Sequence, residues 1–357
     1  MADKTWVGGT SDDAAVDANW SPSGVPASND KVTIPDASTT SNDCRLTAAT
    51  SWGTLGIETN GILVGNGQTL TLNGGVNDAG TAADFNYSDG GQTSNVSGNL
   101  DITMRNLRSS GDRAIITAAA NNIRNLKIDD FTADGGGTGK VYHFQSHLTI
   151  SGNLTVEYGE LNTAFSSTSY NVTVAGTTTI GPASGAADQA TLTCNASTVS
   201  LGSARTSSFA LVVKQGGTFT GGSGNHTIGS IDVKSNSNAK CTLTSAVTTI
   251  NGEHAGDNKA LEIGTNATFA HGGGTVTHTL TANTQYNRTG GVVALNNFIQ
   301  NNNSNLQVSP SLTCAGDFTL TAGEFDTSGS SYAVTVTGDT AINGGTFNGN
   351  ASAIFFG

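Results

Sequence analysis

The stretch LTISGNLTVEYGEL at residues 148–161 is written a second time as LTCAGDFTLTAGEF at residues 312–325. The offset is 164 (312 − 148), and where the letters differ an apolar residue mostly replaces an apolar residue. Apolar and polar residues alternate in both copies, which is the period of a strand with one buried face. A pattern that is kept while its letters change is typical of the units of a repeat protein.

The same alternation runs through most of the chain, for example in TLTLNG (69–74) and TVTHTLTA (275–282). Thr and Val supply many of these positions, and both suit a half-buried pleated surface. No long segment has the period of an amphipathic helix. The sequence therefore predicts an all-β protein.

The spacing of one glycine motif favours stacked coils over separate domains. The motif, h-x-G-[ND]-h-T-h with h apolar, occurs at 96–102, 150–156 and 314–320. Its glycines are followed by another after 24 residues (176 − 152) in the first copy of the repeat and after 22 (338 − 316) in the second. Since no linker is visible, we predict a right-handed parallel β-helix, with a multi-domain antiparallel protein as the alternative.

The motif also predicts how one coil meets the next. We expect each glycine to occupy a tight corner that needs an unusual backbone conformation. The Asn or Asp beside it tolerates such corners, and its side chain can stack in a ladder between coils.

The first 45 residues differ in composition from the rest and predict a separate N-terminal cap or docking segment, with coils over 46–357. This segment holds two of the three tryptophans and three of the five prolines. An open solenoid end must be covered to prevent end-to-end aggregation. The residues that we expect to cap or dock are Trp6, Trp20, Pro22 and Pro26.

The last residues, NGNASAIFFG (348–357), place three apolar side chains at a terminus. Such side chains are poor neighbours for water, so we expect them to pack on the last coil or in a subunit interface. The candidates are Ile354, Phe355 and Phe356.

The charge balance restricts the partners of the chain. With 27 acidic and 15 basic residues the net charge is −12, which disfavours nucleic-acid binding. The start, MADKTWVGGTSDD, lacks the apolar core of a signal peptide, and no apolar run reaches membrane length. We therefore expect assembly inside a host cell, without membrane insertion.

The cysteines and histidines give little sign of chemistry. The cysteines at 44, 194, 241 and 314 are widely spaced, so we expect buried small hydrophobic residues, with disulfides or a thiolate metal site as lesser alternatives. The six histidines are dispersed, and DGGGTGKV (134–141) has Val141 where a phosphate loop needs Ser or Thr. We expect no cofactor and no enzymatic activity.

The densest charged stretch is residues 104–134, with five of the 15 basic residues. It can be one coil with solvent-facing charges, a contact patch for a partner subunit, or the carboxylates of a polysaccharide-cleaving groove. The candidate lateral contact residues are Arg105, Arg108, Arg113, Arg124, Lys127, Asp129, Asp130 and Asp134.

The entry segment resembles the opening of many bacterial and phage surface β-helix proteins. The resemblance follows the pattern W-x-G-x(n)-NW-S-x-x-G-V-P-x-x-x-D-x-V-x-I-P and continues loosely as Gly/Asn/Thr-rich coils. It implies a β-helix that is non-enzymatic or polysaccharide-degrading and often trimeric. No depolymerase residues match. The matching residues are Trp6, Gly8, Asn19, Trp20, Gly24, Val25, Pro26, Asp30, Val32, Ile34 and Pro35.

Together these features favour a non-enzymatic structural protein on the surface of a phage virion, as a fibre, spike or head decoration. Its expected partners are other capsid or tail proteins, copies of itself, with a trimer favoured, and a host-surface glycan. The first alternative is a polysaccharide-binding or polysaccharide-cleaving tailspike, and the second is a bacterial β-helical adhesin.

Overall fold

The chain is a parallel β-solenoid of about 12 turns. It divides into two compact units, residues 1–174 and 175–357. The predicted fold class, a parallel β-helix, is confirmed, and the antiparallel alternative is wrong. The predicted division at residue 45 separates a cap from coils, which is a different distinction, and it stays a prediction. The computed structural model describes residues 2–58, 60–73, 85–87, 96–105, 113–115, 123–130, 141–182, 190–202, 205–309, 311–328, 330 and 332–357.

The first unit is built from short strands, with two single-turn 3-10 helices at Asp17–Asn19 and Ala37–Thr39. Its described strands are β1 (Asp3–Trp6), β2 (Trp20–Ser21), β3 (Lys31–Ile34), β4 (Cys44–Arg45), β5 (Thr50–Trp52), β6 (Thr54–Ile57), β7 (Leu63–Val64), β8 (Thr69–Leu72), β9 (Phe85–Tyr87), β10 (Val96–Ser97), β11 (Leu100–Met104), β12 (Arg113–Ile115), β13 (Ile123–Asp129), β14 (Val141–Phe144), β15 (Leu148–Ile150), β16 (Leu154–Asn162), β17 (Ala164–Phe165), β18 (Thr168–Ser169) and β19 (Val172–Val174).

Three faces carry the parallel ladders of the first unit. The first face stacks β3, β6, β9, β12, β14 and the end of β16. The second holds β4, β7 and β10 in one ladder and β15 with β19 in another. The third stacks β5, β8, β11, β13 and the start of β16. Each turn visits the three faces in order, so the alternate side chains of every strand point into one shared core.

The second unit continues the same construction. Its described strands are β20 (Thr178–Ile180), β21 (Ala190–Thr193), β22 (Val199–Leu201), β23 (Arg205–Thr206), β24 (Leu211–Val213), β25 (Gly217–Thr220), β26 (His226–Ile228), β27 (Ile231–Val233), β28 (Lys240–Thr242), β29 (Val247–Ile250), β30 (Glu253–His254), β31 (Lys259–Ile263), β32 (Thr268–Ala270), β33 (Thr275–His278), β34 (Thr284–Arg288), β35 (Val293–Leu295), β36 (Asn297–Ser309), β37 (Leu312–Cys314), β38 (Phe318–Asp326), β39 (Val334–Val336), β40 (Thr340–Ile342), β41 (Thr346–Asn348) and β42 (Ile354–Phe356).

One ladder of the second unit positions the candidate site described below. It runs through β20, β24, β27, β31, β34, the end of β36, the end of β38 and β41. The turn between paired residues is 19 long from Leu306 to Phe325 (325 − 306) and 30 long from Ile231 to Leu261 (261 − 231). The predicted 22-residue turn recurs from Leu312 to Val334 (334 − 312). Turn length therefore varies at the corners while the strand register is kept.

The two copies of the quoted repeat adopt the same conformation. In each copy a three-residue strand, β15 or β37, is followed by a nine-residue strand, β16 or β38. The long strand bends at a glycine, Gly159 with φ 85° or Gly323 with φ 79°. This left-handed backbone suits glycine, and it lets one strand pass from one face of its unit to the next.

The motif glycines show a different constraint from the predicted one. Gly98 has φ 67°, as expected for a left-handed corner, but Gly152, Gly316 and Gly338 do not have a positive φ. A Cβ on Gly316 would lie 2.1 Å from Oδ1 of Asn297 in the preceding turn. These three positions exclude side chains because the neighbouring turn is too close, so the predicted reason was wrong for them.

The predicted Asn/Asp ladder is present at the same corners. The Asn297 carboxamide oxygen accepts a hydrogen bond from the Asp317 amide at 2.9 Å, and the Asp317 carboxylate accepts one from the Asp339 amide at 3.0 Å. In the first unit Asn125 accepts from the Asn153 amide at 2.8 Å. Each side chain thus satisfies a backbone donor of the following turn.

The interior of the second unit is packed with aromatic rings. Phe318 lies 5.8 Å from Phe298 and 5.1 Å from Phe325, and Phe325 lies 5.3 Å from Phe347, between ring centroids. The four cysteines are free and buried, as predicted. Burial raises the pKa of Cys314 to about 12, so this thiol stays protonated and acts as a small apolar residue.

Candidate functional site

The two N-terminal tryptophans lie inside the first unit. Trp6 and Trp20 are almost fully buried, and their rings meet edge to face at 5.1 Å. Trp20 also meets Trp52 at 5.8 Å, so the indoles continue the core of the coils. Their N–H groups donate to the carbonyl oxygens of Asn42 at 2.8 Å and Ala14 at 2.9 Å. The indole rings are therefore unavailable to a partner in this conformation.

The two prolines named in this segment differ in exposure. Pro26 is buried, whereas Pro22 is exposed and its carbonyl oxygen accepts a hydrogen bond from Lys4 Nζ at 2.9 Å. Val25 between them is also exposed. A docking function would therefore depend on the exposed residues around Pro22, and whether this segment caps or docks stays a prediction.

The C-terminal candidates form the last strand of their ladder, β42, which pairs in parallel with β39. Phe355 is 60% exposed and Phe356 is 46% exposed, while Ile354 is half-buried. Phe356 contacts Phe347 at a centroid distance of 5.9 Å. The interface function of these residues stays a prediction.

The charged cluster of the first unit is an ion-pair network across neighbouring turns. We call it the charged column. Asp129 Oδ2 lies 3.0 Å from Arg105 Nη2 and 3.4 Å from Lys127 Nζ, and Lys127 also contacts Glu157. Arg124 binds Asp101 with two N–H···O bonds of 2.8 and 2.7 Å. The charged column comprises Asp101, Arg105, Arg124, Lys127, Asp129 and Glu157.

The charges of this column compensate each other. The hydrogen bonds and charge of Arg124 hold the pKa of Asp101 below its ordinary value. Burial opposes the charged form of Lys127, but Glu157 and Asp129 outweigh it and raise its pKa. Three cationic and three anionic side chains form the column, so its formal charge is zero. Its electrostatics therefore act between turns of the first unit.

The other residues of the predicted patch are distributed as follows. Asp130 is only 2% exposed and directly follows β13. Arg113 belongs to β12, where its backbone pairs with Tyr142. Arg108 and Asp134 lie outside the described residues. The structure thus brings together Arg105, Lys127 and Asp129, and pairs Arg124 with a residue that the sequence analysis did not name.

A second lateral feature lies on the ladder of β31, β34, β36 and β38 in the second unit. It is a groove with a volume of about 260 Å³, and every side chain that lines it is polar. We call it the amide groove. Its residues are Asn258, Asn283, Thr284, Gln285, Asn305, Gln307 and Asp326.

The strand register aligns the polar side chains of the amide groove. Lys259 pairs with Gln285, Gln285 with Gln307, and Gln307 with Asp326. The Gln285 amide donates to the Gln307 carbonyl at 3.2 Å, and the Gln307 amide lies 3.5 Å from Asp326 Oδ2. The amides are thus oriented in one direction, toward the carboxylate.

Other groups fix the carboxylate end of the groove. Asp326 Oδ1 accepts hydrogen bonds from Asn350 Nδ2 at 2.6 Å and from the Ser328 amide at 2.9 Å. At the opposite end Lys259 Nζ is held by Glu262 at 2.6 Å and Asp257 at 3.1 Å. The charge of Lys259 is therefore compensated locally, and Asp326 is the one ionisable residue among the groove residues.

The sequence analysis missed this groove. Its residues are Asn, Gln and Thr in a chain rich in Asn and Thr, so their composition carries no signal. Their spacing does carry one, because Asn283 and Gln285 recur as Asn305 and Gln307, 22 residues later (305 − 283 and 307 − 285). That interval equals the turn length predicted from the glycine motif.

The comparisons with known proteins leave the site to be argued from its geometry. No protein-family model matches the chain, and neither the curated proteins nor the solved structures contain a significant match. Among the described residues no group of three or more His, Cys, Asp or Glu side chains is placed to hold a metal ion. No described helix has the length and apolar character of a membrane span.

Proposed function

We propose that the chain is a non-enzymatic structural protein displayed on a phage virion, as a fibre, spike or head decoration. The fold is compatible with fibre, spike and adhesin-like proteins. The observation that carries the proposal is that polar side chains at the corners and on the faces bind the next turn. The Asn297–Asp317–Asp339 ladder and the charged column are the two examples. Such a stack is a rigid support that presents surfaces.

The charged column supports a structural function over a catalytic one. Glycoside cleavage requires a carboxylic acid whose pKa is raised so that it can donate a proton. Arg124 instead holds the pKa of Asp101 low. Asp129 is bound by Arg105 and Lys127, which favours its charged form.

The proposed partners are other capsid or tail proteins and further copies of this chain, with a trimer favoured. The exposed rings of Phe355 and Phe356 are the surface that we propose for contact between copies. Exposed apolar side chains that lie together are typical of such interfaces. The proposed location is the virion surface, after assembly in the host cytoplasm.

The test is immunogold electron microscopy with an antibody raised against the recombinant chain. The proposal predicts gold on the surface of intact virions, and altered shape or adsorption of virions that lack the protein. Gold on the bacterial envelope without label on particles would instead support the adhesin alternative. Unlabelled particles whose adsorption does not depend on the gene would contradict the proposal.

The polysaccharide-cleaving spike is the second candidate, because a polar groove on a solenoid face is suited to a carbohydrate. It would place Arg124, Lys127, Asp129, Asp130 and Asp134 beside the substrate. Incubation of the protein with host capsule or lipopolysaccharide tests this function directly. Release of oligosaccharide would support cleavage, and intact polymer would count against it.

A further inference from the structure

We infer that the amide groove of the second unit binds a neutral, hydroxyl-rich glycan chain. This deepens the proposed function, on which it rests for the source of the glycan. The groove is separate from the candidate patch of the first unit, and no sequence motif had indicated it. Four steps lead to the ligand class: the free hydrogen-bonding groups, the length of the groove, its charge and its rigidity.

The groove offers donors and acceptors side by side. A carboxamide carries one acceptor oxygen and two N–H donors, so it can accept from one sugar hydroxyl and donate to another. Within the described part of the chain, no protein partner is recorded for the carboxamides of Asn258 and Asn305. Asn283 uses its oxygen for the Asn305 backbone amide at 3.1 Å, which leaves its N–H groups for a ligand.

The groove extends along the stack. Its side chains come from β31, β34, β36 and β38 and the corners before them, which are successive rungs of one ladder. Three spacings between adjacent strands amount to about 14 Å. A single small metabolite would not need this length, whereas a short run of linked sugar units can use every rung.

The charge of the groove selects among glycans. Asp326 is its one ionisable residue, and the chain as a whole carries a net charge of −12. A carboxylate accepts hydrogen bonds from neutral hydroxyl groups but repels the carboxylates or sulfates of an acidic polymer. The ligand class is therefore neutral.

The groove is preorganised before a ligand arrives. Gln285 and Gln307 are bound to each other, and Asp326 is held by Asn350 and the Ser328 amide. Behind the groove Tyr286, Leu306 and Phe325 are fully buried, so the strands that present the amides are fixed by the core. Side chains that are already ordered lose little entropy on binding.

Affinity gel electrophoresis of the full chain tests the inference. The probes are five neutral polymers (dextran, pullulan, laminarin, mannan and galactan) and two acidic ones, alginate and polygalacturonate. At least one neutral polymer should retard the protein, and neither acidic polymer should. Gln307→Ala and Asn305→Ala should each weaken the retention about three- to tenfold, since each removes one or two hydrogen bonds.

Two further variants keep the result interpretable. Asn343→Ala removes an exposed amide of the same unit outside the groove, and it should leave retention unchanged. Asp326→Asn keeps the size of the side chain but removes its charge, so it should keep neutral binding and reduce the discrimination against alginate. Circular dichroism melts identify any variant that fails to fold.

The inference is overturned by any of three results. These are no retention by any neutral polymer, equal retention by the acidic polymers, and folded Gln307→Ala and Asn305→Ala variants that bind like the parent chain. None of these results depends on where the protein is displayed. Failure of this inference is therefore distinct from failure of the virion proposal, which the gold labelling tests.

Discussion

The charged column of the first unit and the amide groove of the second are both lateral surfaces, yet they use polar side chains in opposite ways. In the column, Arg105, Lys127 and Asp129 bind one another across turns. In the groove, Asn258 and Asn305 are presented to solvent without a recorded protein partner in the described chain. Strong charges are consumed by the stack, and neutral amides remain for a ligand.

The difference follows from the geometry of a parallel stack. Neighbouring rungs are about 4.8 Å apart, so a charge on one rung lies within reach of the next. Opposite charges pair at that distance, as Arg124 does with Asp101 at 2.7 Å. Conspicuous charge in a solenoid sequence is therefore a poor guide to its binding surface.

The largest expected effect separates the core of the groove from the core of the column. Phe325→Ala removes a fully buried ring directly behind the amide groove. We expect a loss of about 3–5 kcal/mol in the free energy of unfolding, from lost burial and the cavity that remains. Hydrogen exchange read by mass spectrometry should show the loss of protection around β36 and β38. Unchanged protection there would contradict the packing described.

A change in pH should affect the second unit before the charged column. Burial lowers the pKa of His226 to about 4 and that of His278 to about 3, from 6.5. Below pH 6.5 the unfolded chain takes up protons that these folded sites refuse, so stability falls until the pH reaches the folded values. The loss is on the order of 3 kcal/mol at His226 and somewhat more at His278.

The charged column has the opposite titration. The pKa of Asp101 is lowered in the fold, so its contribution is present above the ordinary Asp value of 3.8 and is lost only as the pH falls through the folded value. Urea unfolding followed by hydrogen exchange from pH 7 to pH 4 should therefore destabilise β26 and β33 while β11 and β13 stay protected. His226→Leu, which cannot titrate, should flatten the profile. Earlier loss at β11 and β13 would contradict this order.

Removal of one member of the column should cost stability without affecting ligand binding. Asp129→Asn leaves Arg105 and Lys127 without their shared carboxylate. Because both cations are partly exposed and screened by solvent, we expect a loss of only about 1–2 kcal/mol in urea unfolding. Asp339→Asn, at an exposed carboxylate in the second unit, is the matched control and should change stability by less than about 0.5 kcal/mol.

The smallest effect on stability is expected in the groove itself. Gln307→Ala removes a half-buried amide whose hydrogen bonds are 3.2 and 3.5 Å long. Such bonds are near the limit of useful geometry, so the unfolding free energy should fall by less than about 1 kcal/mol. A larger loss in urea unfolding would mean that the groove amides support the stack, as the column does.

Much of the fold could be predicted from the sequence because its signals are local. The alternation of apolar residues predicts the strands, and the repeat at 148–161 and 312–325 predicts their stacking. The turn lengths could not be predicted, since a corner tolerates the insertion that separates a 19-residue turn from a 30-residue one. The reason for Gly316 was also hidden, because the obstruction is an Asn297 side chain from the turn before.

The candidate site was less predictable, because its chemistry depends on register between turns. Charge density identified Arg124 and Lys127, but not their partners Asp101 and Glu157, which come from other strands. The groove had only the 22-residue interval between Gln285 and Gln307 as a signal. That interval becomes informative only when the turn length is known.

The central claim is that the charges of the first unit hold the stack together while the amides of the second unit bind a ligand. The most direct measurement is retention by the neutral polymers, compared side by side for Asp129→Asn and Gln307→Ala. The account predicts that Asp129→Asn migrates like the parent chain and that Gln307→Ala loses most of its retention. Loss of retention in Asp129→Asn, with full retention in Gln307→Ala, would contradict it.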